Sequence, residues 1–411
     1  MAAGRLPLLG RPLASFYLVL ACSCLLTGFG LVMVWSASYV EGTRVSLAIA
    51  EKQALWVGIG LPLMIAAAVT PLRVLRWTAY PLLIVTTVAL LAVLVPGLGV
   101  SINGARRWLA FGGLSLQPSE LAKLALVIFG ADLLARKQAY GTLDAYRHLL
   151  IPLAPISAVL IGLVLKERDL GTSLVLMAIV LVLLWVVGTP LRLFVLLVGL
   201  AATAVAYLAI SEPYRLQRLL SFGDPFSDLH NTGWQAGQGI YALGSGGWWG
   251  LGLGNSREKW GYLPQAHNDF IFAIIGEELG LVGSLAVLAV FAVLAYAGIR
   301  VAQRSRDSFA RLAACGITAW ITVQALVNIG AVIGLLPITG IPLPLISAGG
   351  SSLIPTMVAL GVLMSLARHE PAALRARAAR GPGRISRVLR RFAPSPAGHD
   401  RPGGARPRMA G

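Results

Sequence analysis

Charge is what this 411-residue chain has least of. Only 12% of its residues are Asp, Glu, Lys or Arg, and acids are the scarcer sign, 17 against 34 Lys plus Arg. With 57% hydrophobic residues and a mean hydropathy of +0.76, a water-soluble fold would lack the polar surface to cover its apolar content. Cysteine is nearly absent. Cys22, Cys24 and Cys315 all lie inside apolar segments, which speaks against a disulfide framework and leaves them as small hydrophobes in helices. Internal repeats are also missing, and with them the inverted-repeat signature of many secondary transporters.

Apolar runs take the place of charge. Leu82–Val95 and Leu174–Val187 carry no charge, and their flanks extend each toward the ~20 residues that cross ~30 Å of hydrocarbon. Spans are expected at 15–38, 53–70, 78–98, 118–135, 149–165, 170–188, 191–210, 270–298, 309–334 and 343–367. The expected fold class is therefore an all-α polytopic membrane protein of about ten transmembrane helices, with a large external loop between helices 7 and 8 at about 211–268. Residues 1–14 form a cytoplasmic N-terminal segment, 15–367 the membrane domain and 368–411 a basic tail. The first apolar stretch follows Arg5 and Arg11 and reads as a retained helix, being long and followed by many more.

An even span count puts both termini on one side. Arg5, Arg11, Arg73, Arg76, Arg136, Lys137, Arg147, Arg192, Arg300, Arg304, Arg306, Arg311 and the tail share that face, which the positive-inside rule makes cytoplasmic. The opposite face keeps Arg106, Arg107, Lys166, Arg168, Arg215, Arg218, Arg257 and Lys259. Cations that defy the rule call for a partner of their own, and phosphate suits them. From Arg368 onward, eleven Arg stand against Glu370 and Asp400, a net of +9. That tail, rich in Ala, Pro and Gly, reads as a disordered extension drawn to anionic lipids rather than to nucleic acid. The 211–268 loop is too polar and broken to span, yet its Gly246-Gly247-Trp248-Trp249-Gly250 and Gly252-Leu253-Gly254 suit a segment folded back on the bundle to roof a cavity.

A charge within an apolar segment is costly, so each one is a functional candidate. Pro118 opens a helix in Gln117-Pro118-Ser119-Glu120-Leu121-Ala122-Lys123, and the i, i+3 spacing puts Glu120 and Lys123 on one face. An internal ion pair and a direct contact with substrate both suit them. Asp169, in the turn Lys166-Glu167-Arg168-Asp169, suits a helix start or a solvated interfacial charge. Asp269 stands where the external loop gives way to an apolar helix, two residues after His267. A carboxylate there lies beside low-dielectric walls and can serve as a base; Asp269 or Asn268 could equally cap the helix. Glu277 and Glu278, deeper in that helix, need cations or a wet cavity. The apolar segment Pro342 to Ser352 is broken by Pro and by Gly349-Gly350, as is tolerated only where backbone is buried in protein or lines a cavity. Its glycines would admit a ligand or a neighbouring helix. These readings leave transporter and enzyme both open.

Seven motifs occur together: Ser101-Ile102-Asn103-Gly104-Ala105-Arg106-Arg107-Trp108, Gln117-Pro118-Ser119-Glu120 with Lys123, Asp169-Leu170-Gly171-Thr172, Gly244-Ser245-Gly246-Gly247-Trp248, Gly252-Leu253-Gly254-Asn255-Ser256, Ala266-His267-Asn268-Asp269-Phe270-Ile271-Phe272 and Leu345-Ile346-Ser347-Ala348-Gly349-Gly350-Ser351-Ser352. In kind and order they resemble the SEDS family of peptidoglycan glycosyltransferases, across nearly all of the membrane domain. The residues flanking Asp269 are more similar to the FtsW, or cell-division, branch than to the RodA branch, and the sporulation member is similar too. Gln265 and Asn268 replace the expected Glu and Thr, Ala348 a Tyr, and Arg168 a Pro. The missing acid at 265 argues against a two-carboxylate mechanism.

The resemblance implies polymerisation of lipid II, the undecaprenyl-pyrophosphate-linked disaccharide pentapeptide, at the outer face of the bacterial cytoplasmic membrane during septal wall synthesis. Asp269 matches the family's essential acid and would take the proton of the acceptor hydroxyl. Arg106, Arg107, Arg215 and Arg218, with a divalent cation (Mg or Mn) and no organic cofactor, would stabilise the departing pyrophosphate. Trp108, Glu120, Lys123, Asp169, His267, Ser347, Gly349 and Gly350 would shape the cavity. The implied partners are a class B penicillin-binding protein, the septal transpeptidase, and other division proteins. A lipid II flippase and a non-catalytic division scaffold are the alternatives.

Overall fold

A backbone in hydrocarbon has to satisfy its own hydrogen bonds, so apolar segments of this length fold as helices. The structure, a computed structural model, describes residues 11–38, 44–102, 105–111, 114–142, 149–211, 233–260, 263 and 266–379. Each expected span has a helix: α1 (Ala14–Ser38), α2 (Arg44–Val69), α4 (Ala79–Leu94) after the short α3 (Leu72–Trp77), α5 (Pro118–Ala139), α6 (Leu153–Lys166), α7 (Leu170–Val187), α8 (Leu191–Ser211), α10 (Ile271–Arg304), α11 (Ser308–Val332) and α12 (Gly350–Arg368). The short α9 (Trp234–Ser245) lies within the large loop and α13 (Pro371–Ala379) follows α12.

Among the described residues seven helices are long and apolar enough to cross a membrane: α1, α2, α7, α8, α10, α11 and α12. α4 and α6 are apolar but shorter. α5 has the length, 22 residues, and is set apart by its charges. It is also the centre of the bundle, packed against α4, α7 and α11, with all residues from Pro118 to Ala135 buried except Leu121. A helix enclosed by protein can carry charges that lipid would reject, provided each is paired.

One boundary differs with a clear local cause. The last helix begins at Gly350 rather than 343, because Pro342 and Pro344 lack backbone donors and Leu345 and Gly349 take positive φ, 65° and 153°. A feature the hydropathy did not signal is a three-stranded antiparallel sheet, β1 (Gly99–Ile102), β2 (Ala105–Phe111) and β3 (Leu114–Leu116), in the order β1-β2-β3. It joins α4 to α5, with Val100 opposite Trp108 and Leu109 opposite both Gly99 and Leu116.

One end of the bundle is a layer of arginines. Arg76 of α3 pairs with Asp307 at 2.7 Å and lies over the Phe309 ring. Arg136 pairs with Asp132 at 2.8 Å, Arg304 meets Glu370 at 3.9 Å, and Arg368 donates to the Ala68 carbonyl at 2.8 Å. The helix ends expected on one face therefore touch one another.

At the other end α10 is broken. Gly280 has φ 69° and ψ −165°, outside helical space, a conformation open to glycine alone at low cost. The break frees backbone groups, and the loop satisfies them. Leu251 and Gly252 donate to the carbonyls of Glu277 and Glu278 at 3.0 Å, while Leu281 and Val282 donate to those of Gly247 and Trp248 at 2.9 and 3.3 Å. Such close approach needs small residues: a Cβ on Gly246 would lie 1.9 Å from the Gly276 oxygen, and one on Gly250 2.2 Å from that of Glu278. The described part of the 211–268 loop thus folds back on the bundle. With α1 it walls a cavity of about 420 Å³ lined by Leu31, Val32, Trp35, Ser36, Leu253 and Gly254.

Candidate active site

The broken segment 338–349 gathers most of the residues singled out above. Its interior is apolar, with Ile341, Leu343, Leu345 and Ile346 buried, so its irregular backbone is enclosed by protein. A Cβ on Gly30 of α1 would lie 2.6 Å from the Leu345 oxygen; the bare glycine is what lets the segment pass.

Asp269 sits in the turn just before α10, and the segment and α11 together grip that turn by three consecutive carbonyls. Ala348 N donates to the His267 oxygen at 2.9 Å, Ser347 Oγ to that of Asn268 at 2.7 Å, and Asn328 Nδ2 to that of Asp269 at 2.8 Å. Asn328 Nδ2 also donates to the Ile341 oxygen at 2.8 Å, so one amide clasps both strands of the junction. Ser347 Oγ in turn accepts from Leu343 N at 2.7 Å. Opposite Asp269 Oδ2 lies Gly340, where a Cβ would sit 3.5 Å from that oxygen. The helix cap falls on Phe270, without a side-chain cap, so Asp269 stands one residue before the capping position. His267 is half-buried, and burial pushes its imidazole pKa down, favouring the neutral ring.

Glu120 and Lys123 form a buried ion pair, Nζ to Oε2 2.8 Å. Lys123 also donates to Gln324 Oε1 at 2.8 Å and stands 5.1 Å from the centre of the Trp320 ring. Trp320 Nε1 donates to the same oxygen at 2.8 Å. Gln324 Nε2 then donates to the Pro342 oxygen at 2.9 Å, which carries the chain of contacts from α5 through α11 into the broken segment.

Asp169 is the N-cap of α7. Its Oδ1 accepts from Thr172 N at 3.0 Å, and its Oδ2 from Thr172 Oγ1 and Gln117 Nε2, both at 2.9 Å. Two residues on, a Cβ on Gly171 would lie 2.6 Å from Ile341 Cγ2 and 3.1 Å from the Thr339 oxygen, which seats this helix start on the same segment. Arg107, on β2, donates to the carbonyls of Glu167 (3.1 Å) and Arg168, meeting the negative end of α6. Arg106 is exposed and Trp108 half-buried on the same strand. The Glu167 carboxyl, 1% exposed, is pushed up to about 9 by burial and then by the Asp169 charge, against the pull of Arg107.

Gly349 precedes α12 and donates to Gln53 Oε1 at 3.1 Å. A Cβ on Gly350 would lie 1.9 Å from the Trp56 indole, so its use is helix packing. Glu277 accepts from Ser256 Oγ and, at 2.8 Å, from Arg257 N; Glu278 accepts from Ser36 Oγ at 2.6 Å. Hydroxyls and backbone amides hold these two carboxylates. Arg215 and Arg218 lie outside the described residues. Sequence reasoning missed Gln53, Trp320, Gln324 and Asn328. Gln324 and Asn328, four residues apart in an otherwise apolar stretch, carried the missed signal.

The helices and the site define a class, a polytopic membrane protein whose charged centre is built on a broken segment at the end opposite the arginine layer. A family model described as "Cell cycle protein", which covers FtsW, RodA and SpoVE, matches residues 16–372, and the chain belongs to that family. A protein of Mycobacterium tuberculosis (strain ATCC 25618 / H37Rv) named "Probable peptidoglycan glycosyltransferase FtsW" is 45% identical over 391 residues, 94% of this chain and 74% of that one. Stage V sporulation protein E of Bacillus subtilis (strain 168) is 38% identical over 355 residues, 86% of this chain and 96% of that one. Among solved structures, the rod shape determining protein RodA of Thermus thermophilus superposes with a TM-score of 0.64 at 29% identity, covering 86% of this chain and 96% of that one. A chain from a peptidoglycan synthase complex that coordinates polymerisation and crosslinking reaches 0.70 at 31% identity, covering 87% and 97%.

Proposed function

We propose that this chain is a peptidoglycan glycosyltransferase of the FtsW type, polymerising lipid II at the outer face of the cytoplasmic membrane during septal wall synthesis, with Asp269 as general base. The observation that carries the reading is the grip on residues 267–269, three consecutive carbonyls fixed by Ala348 and Ser347 of the broken segment and by Asn328 of α11. A base has to be held at hydrogen-bonding distance from the hydroxyl it deprotonates, and backbone fixation supplies that placement.

In this reading Asp269 takes the proton of the acceptor sugar's hydroxyl as that oxygen attacks the donor's anomeric carbon. The bond from that carbon to the pyrophosphate breaks with inversion. Arg106, exposed on β2, meets the departing phosphates; Arg107, already bonded to the 167–168 turn, orients the sheet instead. Lys123 and Glu120 act through Gln324 on the segment that holds Asp269. Among the described residues no three His, Cys, Asp or Glu side chains converge as metal ligands; a divalent cation would need substrate phosphates to complete its shell. The arginine layer lies on the cytoplasmic side, with both termini. A class B transpeptidase is the partner, by analogy with the relative solved within a synthase complex.

The test is the pH profile of polymerisation for wild type and Asp269→Asn. A base gives an acid limb in wild type, and the isosteric amide abolishes turnover while lipid II still binds; turnover by Asp269→Asn at an unchanged rate overturns the assignment.

A further inference from the structure

We infer that Trp248 and Trp249 form an interfacial anchor, seating the 246–254 loop in the lipid headgroup region of the leaflet at the Asp269 end of the bundle. The two adjacent indoles stand 69% and 81% exposed. Leu251, Leu253 and Trp35 of α1, 37%, 55% and 57% exposed, lie on the same loop or line the cavity beside it. Bare to water, such apolar surface is unfavourable, and its exposure marks a contact.

Helix length identifies the contact. Arg300 and Arg304 close α10 at the arginine end, and positions 280 and 300 are twenty residues apart, about 30 Å at 1.5 Å per residue. That is the thickness of a hydrocarbon core. With Arg300 at one boundary, Gly280 falls at the other, and the Trp pair is fixed at this level because Val282 N donates to the Trp248 oxygen and Leu281 N to that of Gly247. Just below, Leu281, Val282 and Leu285 are 42%, 44% and 52% exposed, so the patch continues an apolar belt facing lipid. Indole, apolar in its rings and polar at its N–H, concentrates at that boundary. The loop is pinned where Gly246 and Gly250 meet the α10 backbone, so its depth and that of the Gly280 break are one quantity. The inference stands whether or not Asp269 is the base.

The test uses the full-length protein in phosphatidylcholine/phosphatidylglycerol vesicles. The chain has ten Trp, so the signal is the emission difference between wild type and Trp248→Phe/Trp249→Phe. It is expected to be quenched about twofold more by lipids brominated near the glycerol than by those brominated near the chain ends, and little by aqueous iodide. Strong iodide quenching with none from either lipid overturns the anchor and marks a protein-docking patch instead. Should the double variant fail to fold, Trp249→Cys carrying a nitroxide, with Cys22, Cys24 and Cys315 each changed to Ala, gives the same reading. Greater collision with oxygen than with a water-soluble nickel chelate supports the anchor, and the reverse overturns it.

Discussion

Changing Asn328 to Ala removes two hydrogen bonds of 2.8 Å and leaves the carbonyls of Asp269 and Ile341 without that donor. A buried carbonyl left without a partner costs about 1–3 kcal/mol, so the junction loses about 2–6 kcal/mol if it stays in place. It escapes part of that cost by shifting, and a shift moves Asp269. A displacement near 1 Å is enough to slow a positioned reaction about 100-fold. The expected result is a fall in kcat for lipid II polymerisation of about 100-fold, with lipid II affinity changed by no more than about 3-fold. Asn328→Asp sharpens the test. Its ionised carboxylate donates nothing and faces two carbonyl oxygens, so at neutral pH it should be worse than Ala; once protonated it regains one donor, so its activity relative to Asn328→Ala should rise as pH falls. Purified enzyme with a fluorescent lipid II and electrophoretic product analysis reads both. A folded Asn328→Ala enzyme with wild-type kcat would refute the positioning argument.

Lys123→Ala should cost about 3–5 kcal/mol, because it leaves Glu120 charged and buried; Lys123→Met with Glu120→Gln should restore most of the melting temperature while activity stays low, the Gln324 contact being lost. Gly246→Ala should detach the loop, its methyl meeting the Gly276 backbone, whereas Gly244→Ala, with nothing within 4 Å of its added carbon, should be neutral; limited proteolysis of the loop separates the two. Glu167 binds its proton more tightly folded, near 9, than unfolded, near 4.5. Its stabilisation is therefore complete below about 4.5 and lost as pH rises through 9. Wild type should lose thermal stability across that window relative to Glu167→Gln, and parallel melting curves for the two proteins would count against this.

The helices were legible because hydropathy is a local property and α1, α7 and α10 carry it over their whole length. The sheet was not, since Gly99–Leu116 is short, carries two arginines and gains its pairing only across the turn. Asp169 could be placed at a helix start from its neighbours, but the hold of Arg107 on residues 167 and 168 joins positions sixty apart and leaves no local trace. The broken segment was legible as a break. What it holds was not, because the i, i+4 spacing of Gln324 and Asn328 marks a polar helix face but not the carbonyls of Pro342, Ile341 and Asp269 that they meet. Glu277 and Glu278 called for cations or a wet cavity in sequence; in the fold the loop brings Ser256 Oγ and Arg257 N to Glu277, and α1 brings Ser36 to Glu278.

The central claim is that Asp269 performs the chemistry. The direct measurement is lipid II polymerisation by the purified protein with the class B transpeptidase proposed as its partner, wild type against Asp269→Ala, scored by glycan chain length. Long chains from wild type and none from Asp269→Ala, with lipid II bound equally by both, is the predicted result; chains of the same length from both would contradict it.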